Sequence, residues 1–492
     1  MKRMFFLGSS IMAVCLVIMM WTVCAFAADI VVGTGDANIT VFKDTENGFM
    51  QTQQLYSGTD PHGFAVADFN EDGLNDLVNT HGGGSQYLTF FLGGPNGFSE
   101  RIVLDGLGFE PGRGIAVGDF NNDGHVDVIT GAFDSGGIGN QVAIYCGDGA
   151  AQFARTVTYN VGSGANEIAV ADFNEDGNLD AVVTNWNEAN ITVLFGDGSG
   201  GIGSGLVLPT YTGRPQGVCT FDINHDGHAD IACAHGYGTL SAFLGNGDGT
   251  FGSRIDRPAN SGIVVVADMN NDGYGDLAAA EPQALCVYLW EQSQGSFAAD
   301  PVSFSTDFTN SAEDMQIVDF NTDGNNDVVT TCENKVAVYF GDGRGGFVGQ
   351  PTKTIDLNSR PMSVAVGNFT VKNLPITFTP PVLKLKGNGN AKILISGDAV
   401  IPGGQIDAAS VKIVSFAFDN GDTVISTDLS GNNPVVIDDD LDGILDLQLH
   451  FSREEIETAI GGKTGDNVVV TVKGRTINGL VFEGEAVITK IK

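Results

Sequence analysis

Six times along this 492-residue chain, oxygen-bearing side chains fall at alternate positions of a nine-residue acidic turn. The first stands in "ADFNEDGLNDLV", where Asp68, Asn70, Asp72 and Asp76 occupy positions 1, 3, 5 and 9 and Gly73 occupies position 6. The same four places are held by Asp119, Asn121, Asp123 and Asp127, then by Asp172, Asn174, Asp176 and Asp180, then by Asp222, Asn224, Asp226 and Asp230. Asp268, Asn270, Asp272 and Asp276 form the fifth set, and Asp319, Asn321, Asp323 and Asp327 the sixth. Oxygens at alternate positions wrap around one point, which is what a hard cation taking six to eight oxygen ligands requires, and a glycine at position 6 allows the sharp reversal. Asn, Asp and Gly also make ordinary hairpin turns. That explains one copy more readily than six with identical spacing, and the expected ion is Ca²⁺, in a structural role.

The elements that must position these turns are legible around them. First aspartates recur at steps of 51, 53, 50, 46 and 51 residues, a period that marks a repeat architecture. Apolar, partly β-branched runs precede each turn ("GIAVGDF", "EIAVADF") and follow it ("DVITG", "DAVVT"), which predicts strands one and two of each unit. A third run ends in a Gly/Asp turn ("NITVLFGDGSGG", "KVAVYFGDGRGG") and leads into a fourth. Four strands in a unit of this length make a propeller blade. The N-terminal "DIVVGTGDANITVFKDTENGF" supplies strands two and three of a blade without strand one, and "PMSVAVGNFT" from Pro361 supplies the missing strand. The expected fold is therefore all-β, a seven-bladed β-propeller whose last blade is assembled from both ends, which removes exposed sheet edges. Small residues before the turns (Ala67, Gly118, Ala171, Ala267) predict tight packing near the axis. The large residues after the first aspartate (Phe69, Phe120, Phe173, Ile223, Met269, Phe320) are expected to wedge between blades.

A helical calcium hand would need an acidic ligand at position 12, where the first two loops have Asn79 and Thr130, and it would need flanking helices where this sequence has strands. The pattern resembles the FG-GAP or VCBS repeat family, whose relatives include the heads of integrin α subunits, over about residues 29 to 370. The resemblance implies that the side chains at positions 1, 3, 5 and 9 and the backbone carbonyl at position 7 bind calcium in each of the six turns. In the seventh blade Asn368 replaces the first aspartate and the loop is split, so no ion is expected there.

The domain reading is a signal peptide over 1–27, the propeller over 28–370, a linker over 371–380 and a small β-sandwich over 381–492. The last region holds a further loop of the same form, "DDDLDGILD", with Asp438, Asp440, Asp442 and Asp446 at positions 1, 3, 5 and 9, and "SREEIETAI" reads as a short capped helix. At the start, Lys2 and Arg3, an apolar run and a small-x-small end at Ala25 and Ala27 predict export to the periplasm, the cell surface or the medium. A membrane association would follow only if that segment stayed uncleaved. A net charge of -36 argues against a nucleic-acid partner, since phosphate neutralisation needs Lys and Arg. Of the cysteines beyond the leader, Cys219 and Cys233 flank one acidic turn and are expected either to bridge across two strands or to remain free core thiols.

Calcium turns join strands one and two, so the loops joining strands two and three, and each blade to the next, lie on the opposite face. That face is expected to carry function. Its candidates are His81, Phe133, Asn185, Trp186, His235 and Tyr237 between strands, with Arg113, Arg214 and Arg360 between blades. Aromatic rings beside amides suit sugar stacking and hydrogen bonding, so the expected partner is a glycan or an extracellular protein. The alternatives are a propeller-type polysaccharide lyase or related carbohydrate-active enzyme, and a structural scaffold. No GxSxG, HExxH or phosphate-loop motif is present, and no catalytic residue is assigned.

Overall fold

The computed structural model describes residues 29–367, apart from 46–47, 73, 95–96, 100, 134–137, 204, 211–213, 237, 311, 322, 350 and 352, and beyond them the backbone of the strands between 372 and 491. The chain divides into two compact units, with the change falling between Phe369 and Thr370.

Seven four-stranded antiparallel sheets make up the first unit. Blade 1 begins with the inner strand Pro61–Ala67, blade 2 with Pro111–Gly118, blade 3 with Ala165–Ala171 and blade 4 with Pro215–Phe221. Blades 5 and 6 begin with the shorter Val265–Ala267 and Met315–Val318. Blade 7 joins Asp29–Thr34, Asn38–Thr45 and Gly48–Tyr56 to Pro361–Gly367, with Ile30 opposite Val366 and Val32 opposite Val364. The split closing blade is therefore present as expected. Blade 5 departs from the others by inserting a two-stranded hairpin, Trp290–Glu291 with Ser296–Phe297, before its outer strand Val302–Ser305.

The wedge residues do separate the blades. Phe69 packs with Val78, Leu88 and Phe90 of its own blade and with Ile115, Val128 and Tyr145 of the next. Phe120 joins blades 2 and 3, Phe173 joins 3 and 4, Ile223 joins 4 and 5, and Met269 joins 5 and 6. Each such core is a layer between two sheets, so strand two of every complete blade is covered on both faces; in blades 1 to 4 and in blade 6 every one of its residues is buried. Small inner residues fit the same geometry. A Cβ on Gly118 would meet the Leu179 side chain of the next blade at 2.3 Å.

A second device, which the sequence did not disclose, ties neighbouring blades at the tips of the Gly/Asp turns. The backbone N–H of Ala151, Gly200, Gly249 and Gly345 donates to the carbonyl of the preceding blade's wedge residue, Phe69, Phe120, Phe173 and Met269 respectively. These hairpins thus dock sideways as well as turn the chain.

The cysteine bridge does not form, and Cys146, Cys219, Cys233, Cys286 and Cys332 are all free thiols. Cys219 pairs with Ala232 and Val218 with Cys233, so the two sulfurs sit one register step apart and point to opposite faces of the sheet. Cys233 fills the layer between blades 3 and 4, and Cys219 the layer between 4 and 5. Alkylation of denatured protein without reductant is expected to label all five, read by peptide mapping; a Cys219–Cys233 crosslink would contradict this packing.

The second unit has two sheets in its described backbone. One runs Lys372–Asn373, Val481–Ile491, Gly465–Thr476, Ile406–Ala417, Thr423–Ser430, and the other Ile376–Thr379, Asn390–Ile395, Asp446–Ser452, Asn432–Ile437. Ser452, expected to cap a helix, ends a strand, and 453–464 lie outside the described residues. Asp438, Asp440 and Asp442 lie outside them too, while Asp446 opens a strand opposite Ile437.

Candidate functional site

The six acidic turns share one internal hydrogen-bond scheme. The position 9 carboxylate is fully buried and accepts two backbone N–H groups, one from position 2 of its own turn and one from the end of strand three. For Asp180 these come from Phe173 at 2.9 Å and Gly196 at 2.8 Å. Asp76, Asp127, Asp230, Asp276 and Asp327 do the same, with Trp290 replacing the usual glycine donor in blade 5. This residue therefore locks the acidic turn to the neighbouring hairpin. Position 1 and position 3 oxygens both accept the N–H of position 5, at 3.2 and 3.0 Å in the Asp172–Asp180 turn. That shared donor holds the two oxygens side by side.

Position 4 has a left-handed backbone, with φ of 57° at Glu71, 57° at Asn122, 55° at Glu175, 57° at His225 and 61° at Asn271. Such a conformation strains non-glycine residues, and here it recurs at the same place in five loops. The consequence is a run of side-chain contacts from blade 1 to blade 6, position 4 of one turn reaching position 7 of the next. Glu71 pairs with His125, Asn122 Nδ2 donates to Asn178, Glu175 pairs with His228, His225 packs edge-on to Tyr274, and Asn271 Nδ2 donates to Asn325.

The donor chemistry of these turns fits a hard divalent cation. Burial raises the carboxyl groups of Asp76, Asp180, Asp230 and Asp276 to about 7, and nearby position 1 and 5 carboxylates push the same way. A cation there would relieve that repulsion. Among the described residues no three or more His, Cys, Asp or Glu side chains converge as a preformed cluster. The turn instead closes on itself, because the position 3 amide donates to the position 5 carboxylate, at 3.1 Å for Asn174 and Asp176.

On the opposite face the candidates separate into three groups. His81, Asn185 and His235 are not on the surface. Each is the last residue of strand two, paired with the first residue of the inner strand, Pro61, Ala165 and Pro215, and each is fully buried. A residue in that register belongs to the blade rather than to the loop, and this corrects their assignment to a ligand face. His81 Nδ1–H donates to the Thr59 carbonyl, Asn185 Nδ2 donates to Asn190 and Thr192, and His235 Nε2 bonds the Ser241 hydroxyl. Burial lowers both imidazoles to about 4, so both are neutral at physiological pH. They sit in blades 1 and 4 and form no catalytic pair.

Phe133 and Trp186 lie one residue beyond that register and are half-buried. Their rings meet edge to face at 6.0 Å, and the exposed Arg214 guanidinium lies 5.4 Å from the Trp186 ring centre. Blades 2, 3 and 4 thereby contribute one residue each to a single patch. Tyr237 lies outside the described residues.

Arg113 and Arg360 are brought together by a residue that the sequence did not single out. Arg113 donates to the Glu313 carboxylate at 2.6 Å and to its carbonyl at 2.9 Å, and Arg360 pairs with the other carboxylate oxygen. Only Glu167, standing where the inner strands of blades 1, 2 and 4 carry Gly63, Gly114 and Gly217, hinted at a charged axis.

The fold and these turns define a seven-bladed β-propeller with one acidic turn in each complete blade. The FG-GAP-like repeat profile matches six times, over residues 68–130, 119–183, 172–233, 222–279, 268–328 and 319–370. The chain belongs to the FG-GAP-like repeat family. A comparison with curated proteins gives no match. Among solved structures it is similar to a protein from Lactobacillus plantarum (12% identity, TM-score 0.53, covering 69% of this chain and 99% of that one). It is similar also to the periplasmic gluconolactonase of Pseudomonas aeruginosa (15% identity, TM-score 0.52, covering 70% and 100%). A third likeness is to an Agrocybe aegerita lectin specific for non-reducing terminal N-acetylglucosamine (17% identity, TM-score 0.49, covering 71% and 97%). At these identities the likeness is one of fold.

Proposed function

We propose that this protein is an exported, calcium-stabilised binding module whose ligand is a glycan, taken on the face opposite the acidic turns. One observation carries the reading: Phe133, Trp186 and Arg214 from three consecutive blades meet there, giving apolar rings and a charged hydrogen-bond donor side by side. Sugars are recognised by that combination, the ring face against C–H groups and polar groups against hydroxyls. Calcium has a structural part in this reading. The side chains at positions 1, 3, 5 and 9 would hold it, with the carbonyls of Leu74, His125, Asn178, His228, Tyr274 and Asn325 at position 7; the position 3 amide would have to leave its bond to position 5. Export follows from the N-terminal segment and places the loops where calcium is abundant.

The test is a broad glycan array probed with the exported chain in calcium and in chelator. Binding to a related set of sugars is expected in calcium. Trp186→Ala is expected to weaken the best of these at least tenfold while keeping a cooperative melt, because the half-buried ring lies beyond the paired residues of its strand. A blank array with an intact, calcium-responsive fold would remove the glycan and favour a protein partner.

A further inference from the structure

Every blade still ends in an outer strand with one open edge, and propellers keep such edges short and protected. Blade 7 is the exception. Its outer strand Gly48–Tyr56 has nine residues, pairs only with Asn38–Thr45 among the described residues, and contains no charged side chain. The other outer strands are three or four residues long, except Phe153–Asn160 of blade 2, which carries Arg155. On the blade 7 edge Met50 and Tyr56 are 54% and 62% exposed, and Gln51, Thr52 and Gln54 are exposed with them. Two copies of a chain of net charge -36 repel each other, and a long neutral edge is where they can meet.

The residues of this edge read alike from both ends. Phe49, Met50 and Gln51 lead in as aromatic, aliphatic and amide, and Gln54, Leu55 and Tyr56 lead out as amide, aliphatic and aromatic. Two antiparallel copies of the segment would set Phe49 opposite Tyr56, Met50 opposite Leu55 and Gln51 opposite Gln54. Opposed residues of an antiparallel pair lie on one face of the sheet, and in an unbroken strand residues an odd number of positions apart do not. The bulge in this strand removes that obstacle. Val41 pairs with Gln53 and Phe42 with Gln51, which leaves Thr52 as the extra residue, its hydroxyl donating to the Val41 carbonyl. Ile39 and Val41 pack in the layer between blades 7 and 1, so their partners Leu55 and Gln53 lie on that side, as does Met50 opposite Lys43. The Gln53 amide bonds the Phe98 backbone of blade 1 there. Phe49, Gln51, Gln54 and Tyr56 lie on the other side, where Phe49 meets Phe320 of blade 6. All three pairs are thereby matched in face as well as in chemistry.

We propose that Gly48–Tyr56 is the surface through which two copies of this chain pair edge to edge about a two-fold axis, joining the four-stranded sheets of their seventh blades into one. Such a contact is isologous and closes at two copies. The two bulges meet at the axis, so pairing is carried by the arms, 49–51 of each copy against 54–56 of the other. A single strand pairing is a small interface, and the expected dissociation constant is on the order of 10 µM. The interface lies on the rim of the propeller and depends neither on the Trp186 patch nor on its ligand.

The experiment is sedimentation velocity of the full chain in calcium buffer, from about a tenth of that dissociation constant to about twenty times it. A monomer–dimer equilibrium is expected, with no larger species. Gln51→Lys with Gln54→Lys sets like charges opposite each other on both arms and is expected to weaken the dimer at least tenfold, whereas Gln51→Lys with Gln54→Glu sets opposite charges together and is expected to hold it. Both positions are exposed, so the variants should melt as the parent does. A chain that stays monomeric throughout, oligomers beyond two, a dimer unmoved in the like-charged variant, or one lost in the opposite-charged variant would overturn the proposal. If either variant does not melt cooperatively, hydrogen exchange of the parent decides. Its amides over 49–56 are expected to exchange more slowly at high than at low protein concentration, and equal exchange overturns the pairing as well.

Discussion

Removing calcium with a chelator is expected to lower the melting temperature of this protein by about 10 °C. Extracellular calcium sites are tuned to about 10⁻⁴ to 10⁻³ M, and at tenfold excess each adds about 1.4 kcal/mol of stability. Six equivalent turns then add about 8 kcal/mol, and a propeller of this size, at about 2.1 cal/mol/K of unfolding entropy per residue, converts that into roughly 10 °C. Differential scanning calorimetry in calcium and in EDTA reads it directly. Two substitutions in one turn separate the ion's contribution from that of the hydrogen bonds. Asp176→Ala removes an exposed position 5 oxygen, so in EDTA it should lie within about 1 kcal/mol of the parent while losing part of the calcium response. Asp180→Ala orphans the N–H groups of buried Phe173 and half-buried Gly196, at about 1–3 kcal/mol for the buried one, and should be destabilised in both conditions. No calorimetric response to calcium would reduce the six turns to hydrogen-bonded hairpins.

The other large effect concerns closure. A chain ending at Arg360 lacks Pro361–Gly367, which removes the partner of Asp29–Thr34 and two residues of the core, Val364 and Ala365. The ring then has an open edge of apolar strand, the template for intermolecular pairing. Such a chain is expected to aggregate or to lose its cooperative melt, whereas a chain ending at residue 370 keeps the closing strand and should melt within a few degrees of the full protein. Size-exclusion chromatography with circular dichroism melts distinguishes the two. A soluble, cooperative chain ending at Arg360 would mean that the closing strand is dispensable.

Much of this architecture is legible in the sequence because the acidic turn is a local signal repeated six times. Its first aspartate sets the register of strands one and two, and the hydrophobic runs around it supply the rest. The closing blade could be read because Asp29–Thr34 and Pro361–Gly367 complete one repeat between them. Register at the far ends of the strands was less legible. His81, Asn185 and His235 look like loop residues because polar side chains there abut glycine or tryptophan, yet all three pair within the sheet, and one step separates Asn185 from the half-buried Trp186 beyond it. A one-residue difference in where a strand stops has no compositional signature. The same holds for Cys219 and Cys233, whose symmetric spacing about a turn hides opposite facing. Contacts across the axis are invisible to any local pattern, since Arg113 and Glu313 are 200 residues apart.

The run of contacts between positions 4 and 7 acts as a record of blade order. Blade 2 answers Glu71 with His125 but offers Asn122 to Asn178, blade 3 receives with an amide and offers an acid, and blade 4 receives with an imidazole and offers one to Tyr274. Blades 2 and 3 are thus dominoes with two different ends, whereas blade 4 presents an imidazole at both. Exchanging blades 2 and 3 would keep the fold of every sheet and every acidic turn, yet it would set Glu71 against Asn178 and Asn122 against His228. Six copies of one motif have in this way become parts that are no longer interchangeable, and a consensus blade stacked on itself would not reproduce this run of contacts.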